Sequence, residues 1–401
     1  MSTEGAIAAV FREEASRICS SLVRQLGDFD LAEDLVQDAL VTALERWPRD
    51  GIPAKPGAWL LQTARNRGID MMRRDARYRE KLHILAREPE PARREPDERL
   101  RLIFTCCHPA LGREAQVALT LRAVLGMTTA EIAHAFLVPE ATMAQRIVRA
   151  KRKIVEAKIP YRVPDAQALS ARLHQVLTLL YLLYNEAYLS SGATHVTDRD
   201  LAADALWLCK LLTRLMPAQP EVLSLLALMR LHEARREGRF DGSGRIVLLR
   251  DQDRALWNRP RIRDAAALIE RARRMGRPGP FWLQASIAAC HAEAATFDDT
   301  DWPQVLALYG ALAQLVPTPV VRLNRAIALK HVAGPAAALE EVEQLSESLH
   351  RYHLFHATRA ELLREFGRLD EAAAADARAL ELTDNQAERE LLRQRLAEDS
   401  R

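Results

Sequence analysis

Residues Gly126 to Ile154 read GMTTAEIAHAFLVPEATMAQRIVRAKRKI. Thr128 followed three residues later by Glu131 is a capping box, which opens a helix because each side chain satisfies the other's otherwise orphaned backbone N–H. Ile132, Ala133 and Phe136 follow at helical spacing and are expected to face inward. Val138-Pro139-Glu140 then reopens a second helix with proline at its first position, where the missing N–H costs nothing. Along that helix Met143, Ile147, Ala150 and Ile154 fall on one apolar seam, so Thr142, Gln145, Arg146, Arg149, Arg152 and Lys153 are expected to point outward. Two helices joined by a short turn, the second cationic on its outer side, outline a helix-turn-helix suited to a DNA major groove. An ordinary helical hairpin with a basic end carries the same pattern.

The same three- and four-residue recurrence runs through almost the whole chain, for example at Leu177, Leu180, Tyr181, Tyr184 and Tyr188, while alternating runs of Val, Ile and Thr are missing. The fold class is therefore predicted to be all-α. At 401 residues the chain is too long for one core and fits two to four domains. Its 57 Lys and Arg against 54 Asp and Glu leave a net charge of +3, so any surface for a polyanion must be local. With 48% hydrophobic residues, 16 glycines and 19 prolines, collagen-like and wholly disordered classes are excluded. Five cysteines without a Cys-x-x-Cys pair point to neither a disulfide framework nor a four-thiolate zinc site and fit a reducing cytosol. Met1 to Phe11 lacks the basic-then-apolar pattern of a secretory signal, and no uncharged apolar run reaches the ~18 residues of a membrane span. A cytoplasmic protein is expected.

Two stretches punctuate the chain. Arg87 to Glu98 (REPEPARREPDE) mixes three prolines with charges, and Ile159 to Ala166 places Pro160 and Pro164 after a basic run. Taken as linkers, at 87–99 and 159–168, they divide the chain into blocks 6–86, 100–158 and 169–401. In the last block Ala326 and Ala360 stand 34 residues apart, and Gly367, Ala372 and Ala379 follow at the intervals of a helix-turn-helix repeat. This resembles a tetratricopeptide repeat, although Arg236 to Arg261 and Thr296 to Trp302 interrupt the period, and a non-repeating helical bundle fits as well.

Upstream, Asp30 reads as an N-cap, and Asp30, Asp34, Gln37 and Asp38 line one helix face with Leu31, Leu35 and Leu40 turned away. That face carries no lysine of its own. The next helix, Ala58 to Tyr78, changes sign. Trp59, Leu60, Thr63, Ala64 and Met71 are expected inside, leaving Arg65, Asn66, Asp70, Arg73, Arg74 and Arg77 as a surface able to hold phosphates and reach base edges. The intervening Pro48 to Pro56 reads as a Pro- and Gly-bearing loop able to shape a pocket. Cys106-Cys107-His108 offers ligand types, but adjacent residues of a helix diverge by about 100° and no second cluster completes a tetrahedron, so buried thiols are expected and no metal. No triad, carboxylate pair or Gly-rich loop marks an enzyme active site, and no cofactor is implied.

In their order, LAEDLVQDALVTALERW, AWLLQTARNRGIDMMRRDARY, the charged linker and the helix-turn-helix resemble an extracytoplasmic-function (ECF) RNA polymerase sigma factor over about the first 160 residues. The extension resembles that of the subgroup with a C-terminal tetratricopeptide-like domain, associated with small DGPF (YCII-related) proteins. The resemblance implies core RNA polymerase and promoter DNA as partners, with no membrane and no covalent chemistry. It implies that Asp30, Asp34, Gln37 and Asp38 dock on the polymerase clamp helices, that Arg65, Asn66, Asp70, Arg73 and Arg74 meet the minus-ten element, and that Thr142, Gln145, Arg146, Arg149, Arg152 and Lys153 meet the minus-thirty-five element. Where many relatives carry Lys-Ser, this chain has Ala144-Gln145, which exchanges a cation for an amide able to pair with adenine. A helical-repeat adaptor or DNA-binding regulator that does not support initiation is the alternative.

Overall fold

A computed structural model of the protein describes residues 3–74, 98–136, 138–190 and 201–399. They are helical almost throughout, with no strand among them and one isolated bridge between Phe240 and Ile246. The chain divides into two compact units, Met1–Leu180 and Tyr181–Arg401.

The N-terminal unit begins with three helices, α1 (Thr3–Leu26), α2 (Phe29–Asp50) and α3 (Pro56–Arg74). Leu22, Leu31, Leu35, Ala39, Ala43, Trp47, Leu60 and Ala64 close their common core. Trp47 meets Trp59 edge-on at 5.3 Å, which fixes α2 against α3. The cap of α2 is Asp28 and not Asp30: Asp28 is extended and its carboxylate accepts the N–H of Leu31 at 3.1 Å, which places Asp30 inside the first turn. Pro48 likewise lies within the last turn of α2, so the loop shrinks to Gly51–Lys55 and turns on Gly51 at φ 82°.

The unit continues with α4 (Glu98–Cys106), α5 (Arg113–Leu119), a π turn at Thr120–Val124, α6 (Thr129–Ala135) and α7 (Glu140–Glu156). Leu102, Ile103, Phe104, Leu119 and Leu121 are fully buried. The capping box forms as read, with Thr128 taking the N–H of Glu131 and Glu131 taking that of Thr128. Pro139 stands one position earlier than expected, at the N-cap of α7. Cys106 and Cys107 are buried, and Cys107 Sγ lies 3.5 Å from the Thr120 hydroxyl. Burial holds both thiols above the ordinary range, Cys107 at about 11, so they stay protonated and unreactive.

The segment Ile159 to Ala166 is packed into this unit. Ile159 is buried, and the Tyr161 hydroxyl donates to Ser20 O at 2.9 Å while its ring meets Phe29 edge-on. The helix that follows, α8 (Ala166–Ser190), contains the division between units, and its Arg172 donates to Phe104 O at 2.6 Å.

The C-terminal unit runs through α9 (Leu201–Leu215), α10 (Pro220–Ala234), α11 (Arg259–Met275), α12 (Pro280–Glu293), α13 (Trp302–Leu315), α14 (Pro319–Ala333), α15 (Pro335–Glu343), the short α16 (Ser346–Leu349), α17 (His353–Glu365), α18 (Leu369–Leu382) and α19 (Gln386–Asp399). Proline opens α10, α12, α14 and α15, where its fixed φ suits a first helical residue. The 34-residue interval has a structural basis, since Ala326 and Ala360 are each the eighth residue of α14 and α17 and both are fully buried. Gly367 turns at φ 69°, and Ala372 and Ala379 face inward from α18, leaving room for close helix approach. The interruption at Arg236 to Arg261 is a run of three short 3-10 turns, pinned where Arg254 donates to the carbonyls of His291 and Ala294 at 2.6 and 2.8 Å.

Candidate functional site

The acidic face of α2 forms as the spacing requires. Asp34 and Asp38 are exposed, Gln37 is half-buried beside them, and Leu31 and Leu35 turn into the core. Partial burial and the like charges of Asp30, Glu33 and Asp38 raise the Asp34 carboxyl above its usual value, against an opposing pull from Lys151. Crowded carboxylates of this kind invite a cation from outside the helix.

Part of that cation comes from the helix-turn-helix. Lys151 lies on α7 between Ala150 and Arg152, yet it is only 9% exposed. Its ammonium donates to Asp30 Oδ1 at 2.6 Å and to Glu33 Oε2 at 3.1 Å. Glu33, one residue from the expected face, is 6% exposed and also accepts from Arg122 Nε at 3.0 Å. Arg122 belongs to the π turn and reaches Met127 O at 3.0 Å with another nitrogen. Burial opposes the charge on Lys151, but Glu33 and Asp30 outweigh it and raise its pKa. Arg24 of α1 pairs with Glu98 of α4 at 3.1 Å and widens the same seam.

On α7 the seam residues Met143, Ile147, Ala150 and Ile154 are buried as expected. Thr142, Gln145, Arg149, Arg152 and Lys153 are exposed, and Val148 shares their side at 61% exposure. Arg146 departs from the expectation: it is half-buried and its guanidinium is held by Glu114 of α5 at 2.9 Å. It sits on the flank, within reach of an acid that the sequence places thirty-two residues away.

On α3, Asn66, Asp70 and Arg73 are exposed, with Asn66 accepting from Gln62 at 2.9 Å and Arg73 standing 3.9 Å from Asp70. Arg65 does not join them. It is 6% exposed, because it follows Ala64 on the side of the helix that Leu60 and Ala64 turn into the core. Arg67, absent from the expected set, is exposed in its place. Arg74 is the last described residue of α3, whereas Arg77 and the linker from Arg87 to Asp97 lie outside the described residues.

Residues 10–78 match the family model for sigma-70 region 2, and residues 101–154 that for sigma-70 region 4. Over 151 residues the chain is 31% identical to the ECF RNA polymerase sigma factor SigL of Mycobacterium tuberculosis, which covers 85% of that protein and 36% of this chain. The chain belongs to the ECF RNA polymerase sigma factors. A second relative, the probable ECF RNA polymerase sigma factor SigI of the same organism, is 27% identical over 192 residues, covering 45% of this chain and 63% of SigI. Residues 172–273 of the sigma factor match a family of unknown function, DUF6596. An uncharacterized protein of Rhizobium meliloti is 45% identical over 387 residues, 94% of this chain and 92% of that one, so the two share the C-terminal extension as well.

As an ECF sigma factor the protein is a transcription initiation factor whose family binds core RNA polymerase and promoter DNA without enzymatic activity. No helix among the described residues is long and apolar enough to cross a membrane. Lys151, Glu33 and Arg122 were invisible to the surface reading. Their signal is faint: Lys151 follows Ile147 by four residues and precedes Ile154 by three, which places it on the flank of the buried seam.

Proposed function

We propose that this sigma factor docks on core polymerase through Asp30, Asp34, Gln37 and Asp38 of α2, meets the minus-ten element with Asn66, Asp70, Arg73 and Arg74 of α3, and reads the minus-thirty-five element with α7. The observation that carries the reading is the outer side of α7, where Thr142, Gln145, Arg149, Arg152 and Lys153 stand exposed above a buried apolar seam. A helix so arranged presents amide and guanidinium donors to a major groove while its other side stays in the core. Arg65, which is buried, and Arg146, which pairs with Glu114, carry less of the proposal than their exposed neighbours.

Run-off transcription with core polymerase tests the reading, and polymerase or promoter binding without transcript would move the protein to the regulator class. Within the DNA surface the expected outcomes differ by contact. Arg149→Ala should weaken promoter binding and relax discrimination at one or two base pairs, because a bidentate base contact is worth ~1–3 kcal/mol. Arg152→Ala should weaken binding evenly across promoter variants and reduce the salt slope by about one. A salt titration of both variants that matches the unaltered protein would assign α7 to structure alone.

The C-terminal unit is proposed to be a tetratricopeptide-like domain that controls initiation, with a small DGPF-type protein or a peptide as its partner. Support comes from the matched positions of Ala326 and Ala360 in successive helix pairs, a design that creates extended binding surfaces when stacked. A chain ending at Leu180 keeps Tyr161 and Arg172, which bond within the N-terminal unit, and is expected to fold. Its transcription should fall at least about tenfold, with little recovery when the C-terminal unit is supplied separately, because the tether sets the effective concentration. Unchanged activity would refute a positive role, and higher activity would make the domain an inhibitor.

A further inference from the structure

We infer that Lys151 is a latch: its ammonium ties α7 to Asp30 and Glu33 at the N-terminal end of α2, so that core polymerase and the chain's own α7 compete for one acidic surface. The inference rests on the proposed docking role of α2. It goes beyond that role by naming the surface's resident occupant and the chemistry of whatever displaces it.

Three observations converge. The acidic face has no cation of its own, and the cation it receives comes from α7, 118 to 121 residues away along the chain. The junction is built, since Arg122 joins Lys151 on Glu33 and Tyr161 packs on Phe29 and bonds to Ser20 in the same unit. Glu33 Oε2 receives both Lys151 and Arg122, so one carboxylate oxygen is shared by two cations from outside α2. Finally, the latch holds only one end of the face: Asp34 and Asp38 remain exposed, with Asp34 crowded by like charge. A basic surface has a place to land first, and it must then offer a cation to Asp30 and Glu33 in exchange for Lys151.

The test uses the full-length protein with spin labels at Glu45 of α2 and Glu156 of α7, both exposed. The background is Cys290→Ser, since the other four cysteines are buried. Lys151→Met keeps the apolar stem and leaves Glu33 its pair with Arg122, while Lys151→Arg keeps the charge. Asp30→Asn, which alters an exposed partner, is a second opening variant read by distance alone. Circular dichroism and thermal melting establish that each variant is folded. The unaltered protein and Lys151→Arg should give one short distance, and Lys151→Met and Asp30→Asn a longer, broader distribution. If the open form is populated to about a tenth before the change, Lys151→Met should tighten core polymerase binding by about tenfold. An unchanged distance in both opening variants would overturn the latch whatever polymerase does. A longer distance with unchanged affinity would overturn the competition. In that case Asp34→Lys with Asp38→Lys tells which premise failed: loss of polymerase binding leaves α2 as the docking helix and rejects only the latch, whereas retained binding rejects the docking helix itself.

Discussion

Replacing Asp34 and Asp38 together by lysine is expected to abolish co-purification with core polymerase while leaving the fold intact. Both side chains are exposed on α2, and surface substitutions of this kind usually shift stability by under about 0.5 kcal/mol. Binding is affected differently. Charges facing a complementary partner govern encounter and register, and placing like charges opposite each other costs several kcal/mol. The double reversal therefore predicts a folded protein that polymerase no longer retains. Co-purification at the level of the unaltered protein would remove α2 from the docking surface.

The second large effect belongs to Glu33. Its carboxylate is the anion that Lys151 and Arg122 share inside the N-terminal unit. Glu33→Ala leaves two cations partly buried at its place, and breaking a buried pair by removing one partner costs about 3–5 kcal/mol. Less than this is expected, because Asp30 still holds Lys151 at 2.6 Å and opening of the latch, at about a tenth population, limits the loss to about 1.4 kcal/mol. Urea unfolding should show the loss as a lower midpoint, and Lys151→Met added to Glu33→Ala should recover part of it, since residues sharing one network are not additive. A midpoint shift no larger than that of an exposed substitution would show that the cluster contributes little. The contribution of the Lys151 ammonium is present at physiological pH by sign. The pKa of Lys151 is raised above 10.5, so its ion-pair contribution is fully present below that value and is lost only as pH climbs through the raised one.

The all-α class, the capping box at Thr128 and the seam Met143, Ile147, Ala150, Ile154 were legible because they depend on neighbours within a few residues. Local spacing also located the exposed carboxylates of α2. It failed where a partner lies far along the chain. Arg65 and Arg146 read as surface cations by residue type, but Arg65 falls on the buried side of α3 and Arg146 meets Glu114 across α5 and α7. Lys151 stands in the basic run RAKRK and looks like its neighbours until Glu33 is opposite it. The cap of α2 was misplaced for a smaller reason. Asp28 and Asp30 are both good caps by type, and only the extended backbone of Asp28 decides between them.

The π turn at Thr120–Val124 sets the register of this arrangement. Its hydrogen bonding runs from i to i+5, the Leu125 N–H donating to the Thr120 carbonyl at 3.2 Å, so the turn holds one residue more than an α-helical hydrogen-bonded turn. Arg122 sits within it and faces Glu33 from that widened turn. Loss of one codon here would restore regular α-helix and rotate the following side chains by about 100°, taking Arg122 off Glu33. The wider turn thus lets one stretch of helix bury Leu121 and Val124 while still bringing Arg122 to Glu33.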